Sequence, residues 1–152
     1  MSYLTVLPIW NAVQSRFHKT AKALPEQELA LRSGSSSIAG LLLHNAEVEY
    51  LFAEWFFGKA VPEEAKRILS RGKAENGEPP LVKEDLIAFL EASSANLIEA
   101  MRELPEEAWQ QPVESSFGSS TPLEAVGRLM YHTGIHSGQI SLIQKMARSE
   151  SV

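Results

Sequence analysis

Apolar residues in this chain recur at three- and four-residue intervals in four long windows, and no β-branched run of strand length bounded by turn signals occurs. The pattern predicts an all-α protein. The first window runs from about Tyr3 to Leu24, with Leu7, Trp10, Val13, Phe17 and Leu24 on one stripe and Pro8 near its start. Ser33 to Ser37 break the pattern. A second stripe then carries Ile38, Leu41, Leu42, Val48, Leu51, Phe52 and Trp55 as far as Gly58, a natural helix stop.

From Gly58 to about Leu81 the chain holds Pro62, Gly72, Gly77, Pro79 and Pro80, with room for one short helix between Glu63 and Ser70. Tight helix hairpins use about 2–8 residues, so this connection predicts a crossover along the bundle. A third long helix is expected from about Lys83 to Leu104, burying Leu86, Phe89, Leu90, Leu97, Ile98 and Met101. The fourth has the clearest start: Thr121 as N-cap, Pro122 in the first helical position and Glu124 closing a capping box, with an end near Arg148. The expected architecture is a four-helix bundle with a long crossover between its second and third long helices, forming one domain over residues 1–152.

Composition narrows the function. With 14 Lys+Arg against 19 Asp+Glu, a net charge of −5 and dispersed cations, the chain does not read as a nucleic-acid binder. Cysteine is absent, which removes thiolate metal sites, disulfides and cysteine nucleophiles. The most apolar stretch, Leu51 to Phe57, is interrupted by Glu54, so no membrane span is expected, and no export signal is recognised, so the cytoplasm is the expected location. Neither phosphate-loop glycines nor a serine nucleophile elbow is found.

The histidines carry the candidate chemistry. His132 and His136 stand one helical turn apart on the inward stripe of the last helix, and His44 shares a face with Leu41, Val48 and Leu51. His44 lies 13 residues before Phe57, while His132 and His136 lie 10 and 14 residues beyond Pro122, so antiparallel helices bring all three to one depth. A parallel arrangement also permits the cluster, with a worse fit. Three imidazoles at one depth suit a divalent metal. The competing reading is three hydrogen-bonded structural histidines.

These residues also carry a family likeness. His132-Thr133-Gly134-Ile135-His136-Ser137-Gly138-Gln139-Ile140 resembles the H-x-x-x-H-x-G-Q-I signature of the DinB/YfiT-like metalloenzyme family, and His44-Asn45-Ala46-Glu47-Val48-Glu49 is similar to its H-x-A-x-x-E segment. The resemblance spans about Trp10 to Met146. It implies a frequently dimeric four-helix bundle whose ligands are His44, His132 and His136, holding Zn²⁺ or Ni²⁺, with Mn²⁺ or Fe²⁺ as alternatives. It further implies an enzyme acting on a small molecule, with transfer of a low-molecular-weight thiol as the leading chemistry. Metal-assisted hydrolysis and a non-catalytic dimeric binding protein are the alternatives. Glu47 and Glu49 are candidates to accept an imidazole N–H or serve as general base, and Gln139 to orient a ligand. Gly134 and Gly138 suit close helix approach at a dimer face, Trp55, Phe56 and Phe57 suit either core or pocket wall, and His18 reads as solvated.

Overall fold

The computed structural model describes residues 1–72 and 81–150. Four long helices form the bundle: α1 (Ser2–Ala23), α2 (Ile38–Phe57), α4 (Lys83–Glu103) and α5 (Pro122–Glu150). A short helix, α3 (Glu63–Gly72), sits in the crossover. Gly77, Pro79 and Pro80 lie outside the described residues. Helix boundaries fall within two or three residues of those the periodicity predicts. Pro8 lies in the second turn of α1 and on its exposed side, where water can serve the carbonyl left without a donor.

Local chemistry sets the ends. Ser37 Oγ accepts the Gly40 N–H at 2.9 Å to cap α2, and Gly58 closes the same helix at φ 70°, a conformation that glycine adopts without strain. The α5 capping box is formed in both directions: Thr121 Oγ1 accepts the Glu124 N–H at 3.1 Å, and the Glu124 carboxylate accepts the Thr121 N–H at 2.9 Å.

Two apolar clusters show the helix directions. One gathers Phe17 and Ala21, Leu41 and Leu42, Phe89 and Leu90, and Ile140 and Ile143. The other gathers Val6 and Trp10, Phe52 and Phe56, Leu97 and Met101, and Val126 and Leu129. Thus α1 and α5 run one way, and α2 and α4 the other. Helix α2 packs against both α4 and α5, and so does α1. Adjacent α2 and α4 are therefore parallel, which is why the chain needs a crossover between them. Adjacent α2 and α5 are antiparallel.

Short strands are the departure from the all-α expectation. The α1–α2 connection contains a 3₁₀ turn (Glu26–Ala30) and the hairpin β1 (Arg32–Ser33) to β2 (Ser36–Ser37). The α4–α5 connection contains a 3₁₀ turn (Glu106–Ala108) and the hairpin β3 (Val113–Ser115) to β4 (Gly118–Ser120). Both connections join helices that face each other diagonally, and the hairpins satisfy backbone groups along the longer path. No described helix is long and apolar enough to cross a membrane.

Candidate metal centre

The α2–α5 pairing brings the three sequence-selected histidines together. Each of His44, His132 and His136 offers a ring nitrogen, and these nitrogens all lie within 4.8 Å of one another. The rings meet edge to face, with His44 centred 5.1 Å from His132 and 5.3 Å from His136, and those two 4.2 Å apart. The cluster grades from closed to open: His136 is 8% exposed, His132 is half-buried and His44 is exposed. The site thus has a buried floor and a solvent-facing side.

Hydrogen bonding constrains the tautomers. His136 Nδ1 lies 2.7 Å from Gln139 Oε1, an acceptor, so this nitrogen carries the proton and Nε2 presents its lone pair. That lone pair points at His132 Nε2, 2.9 Å away. Two bare nitrogens at this separation repel, so a shared proton or a cation must lie between them. Nitrogens bound to one tetrahedral ion at about 2.0–2.1 Å sit about 3.3 Å apart, close to this separation. His132 Nδ1 is buried without a hydrogen-bond partner. The donor set fits a divalent metal.

Burial favours the uncharged form of His132 and His136. Desolvation, reinforced by His136 and His44, pulls the His132 pKa down to about 4. Desolvation also lowers His136; the Gln139 hydrogen bond opposes this and His44 adds to it. At neutral pH this pair is ready to donate lone pairs without first losing protons.

The other candidates separate. Gln139 reaches His136 and fixes its ring. Glu47 is half-buried on α2, three residues after His44. Glu49 is 1% exposed and turns toward α4: Ser93 Oγ lies 2.7 Å from Glu49 Oε1, while Oε2 has no partner, so the carboxyl bonds none of the histidines. Desolvation raises its pKa to about 8 against the Ser93 hydrogen bond. Phe56 and Phe57 are core, whereas Trp55 is half-buried and rests 5.4 Å, centre to centre, from the exposed Phe117 ring. His18 is half-buried instead of solvated, with its pKa lowered first by desolvation.

Sequence reasoning passed over one pair beside the candidate ligands. Thr133 Oγ1 donates to Asn45 Oδ1 at 3.3 Å between α5 and α2, and both residues are buried. Their positions next to His132 and His44 were the available signal.

The family model of the DinB superfamily matches residues 9–140, nearly the whole bundle including the three histidines. The chain belongs to the DinB superfamily. Among solved structures, this DinB chain is similar to a DinB-like protein from Bacillus subtilis, YjoA, at 16% identity and a TM-score of 0.67, covering 94% of this chain and 92% of that one. It is also similar to a mycothiol-dependent maleylpyruvate isomerase at 20% identity and a TM-score of 0.66, covering 91% of this chain but 60% of the isomerase. No curated protein matches the chain. At these identities the structural likeness establishes the shared helical-bundle fold.

Proposed function

We propose that this DinB protein is a divalent-metal-dependent enzyme that activates a low-molecular-weight thiol for transfer to a small electrophile. The observation that carries the reading is the convergence of His44, His132 and His136 nitrogens within 4.8 Å on a cluster with one exposed side. His44, His132 and His136 would hold the ion through three neutral donors and leave most of its charge unquenched. A bound Zn²⁺ or Ni²⁺ would supply Lewis acidity that favours the deprotonated form of a thiol or water. The mycothiol dependence of the structurally similar isomerase favours a thiol over water.

The chain's own groups have defined parts. His136 is held in the donating tautomer by Gln139, and Asn45 with Thr133 fixes α2 against α5 at the depth of the ligands. The exposed His44 side admits the substrate. Glu47, at i,i+3 from His44 along the helix, takes the thiol proton; the thiolate sulfur adds to an unsaturated electrophilic carbon as its π bond opens, and Glu47 returns the proton to the carbanion so formed. Free thiols persist in reducing compartments, which suits a cytoplasmic enzyme. An exposed α5 stripe of Tyr131, Gly134, Ile135, Gly138 and Leu142 supplies the face for a homodimer.

The test is metal content by elemental mass spectrometry on chelator-free protein after Zn²⁺, Ni²⁺, Mn²⁺ and Fe²⁺ loading, followed by a panel of thiols and electrophiles. One equivalent per chain with metal-dependent consumption of thiol is expected. Stoichiometric metal with consumption of ester or amide bonds instead would redirect the reading to hydrolysis. Metal without turnover would leave a binding protein.

A further inference from the structure

The two apolar clusters do not merge at the middle of the bundle. Between them each long helix contributes a buried polar side chain: Gln14 from α1, Asn45 and Glu49 from α2, Ser93 from α4 and Thr133 from α5, none more than 3% exposed. Gln14 lies between Trp10 of one cluster and Phe17 of the other, Ser93 between Leu97 and Leu90, and Thr133 between Leu129 and Ile140. Asn45 and Glu49 lie where the clusters meet on α2. Their places between the two clusters put these residues at one level of the bundle, a polar layer.

The layer is only partly satisfied from within. Its side-chain bonds are Ser93 Oγ with Glu49 Oε1 at 2.7 Å and Thr133 Oγ1 with Asn45 Oδ1 at 3.3 Å. Four polar atoms have no partner: Nε2 and Oε1 of Gln14, Nδ2 of Asn45 and Oε2 of Glu49. Two are donors and two are acceptors, so neither a cation nor an anion satisfies all of them. Buried polar atoms in folded proteins are otherwise nearly always paired, and a buried water typically makes about three hydrogen bonds to such groups.

We propose that this layer is an internal water-binding site in which ordered water bonds the Gln14 carboxamide, Asn45 Nδ2 and Glu49 Oε2, joining the two existing side-chain bonds into a network across all four helices. The hydroxyl of Ser93 is consistent with this arrangement. Its single hydrogen has two acceptors in reach, Glu49 Oε1 at 2.7 Å and the Leu90 carbonyl at 3.0 Å. The Ser93 O–H donates to Glu49 Oε1, with the Leu90 carbonyl as its second acceptor. Oε2 then remains to accept from water. The layer lies behind the histidines, with Asn45 and Thr133 each adjoining a histidine in sequence, but the water site requires no metal.

Oxygen-17 magnetic relaxation dispersion of the metal-free, full-length protein counts long-lived internal water and tests the proposal. The wild type is expected to show such water, and Gln14→Leu to lose at least one molecule. Gln14→Met, closer in shape, serves if the leucine variant fails to fold. A high-resolution crystal structure should place water within hydrogen-bond distance of Gln14 and Glu49 Oε2. No long-lived water in the wild type, full retention in a folded Gln14 variant, or a direct Gln14–Glu49 bond with no water between would each overturn the site.

Discussion

His44 and Glu49 leave the same helix five residues apart, yet they occupy opposite environments. Five residues at about 100° each turn Glu49 about 140° from His44, which sends one toward the open side of the α2–α5 pair and the other toward α4. Burial acts on both regions by one cause with opposite signs. Desolvation disfavours charge, so it takes His132 down to about 4 and Glu49 up to about 8, leaving both neutral near pH 7. The consequences differ because of access. The neutral His132 ring beside an open face offers a lone pair, whereas a neutral carboxyl sealed inside the bundle belongs to the packing. Two residues of one short segment thus divide between a candidate metal centre and an internal polar layer.

Removal of a proposed ligand should break this division most severely. His44→Ala, His132→Ala and His136→Ala are each expected to weaken Zn²⁺ binding more than about 100-fold, beyond the 10–100-fold typical of losing an outer hydrogen-bond partner. Gln139→Leu should fall in that 10–100-fold range, because His136 keeps its lone pair but loses the group fixing its ring. Glu49→Gln should change affinity less than about threefold. Competition titration with a chromophoric zinc chelator measures all five variants. Equal losses in Glu49→Gln and His44→Ala would erase the distinction between the regions.

The pH dependence of stability sharpens the same comparison. Glu49 has a folded pKa raised from 4.5 to about 8, so its contribution is fully present below 4.5 and lost as pH rises toward 8. Its slope is at most about 1.4 kcal/mol per pH unit. His132 has a folded pKa lowered from 6.5 to about 4, so the metal-free protein loses stability as pH falls through that window, while the unfolded chain takes up the proton first. Glu49→Gln should remove the alkaline loss and leave the acidic one. Urea unfolding of metal-free protein from pH 4 to pH 9 tests both limbs, and an unchanged alkaline limb in the variant would remove Glu49 as its source.

Legibility in the sequence followed the strength of local signals. The long helices were readable because their apolar periodicity is sustained and their ends carry Ser37, Gly58 and the Thr121–Glu124 box. The hairpins were not, because two- and three-residue ladders of mostly Ser, Arg and Gly have no alternation to detect. The histidine cluster was readable from spacing and depth. The polar layer was missed although Gln14 falls in the series Val6, Trp10, Phe17, Ala21, Leu24, whose other members are all buried. A stripe drawn through Leu7 and Val13, both only partly buried, hid it. Glu47 and Glu49 were separable by helical angle alone, but composition gave no reason to expect a carboxyl in the core.

The smallest expected effect separates fold from site. Thr121→Ala removes the hydroxyl that caps α5 and one direction of its capping box. N-cap replacement costs about 1 kcal/mol, which for a chain of this size lowers Tm by about 2–4 °C. His132 lies 11 residues further along α5, beyond the frayed first turn, and is held laterally by the Thr133–Asn45 bond. Zinc affinity in Thr121→Ala should therefore stay within about twofold of the wild type while calorimetry records the Tm loss. A parallel fall in zinc affinity would mean that the ligand positions depend on the whole of α5, and that the α2–α5 bridge does not hold them locally.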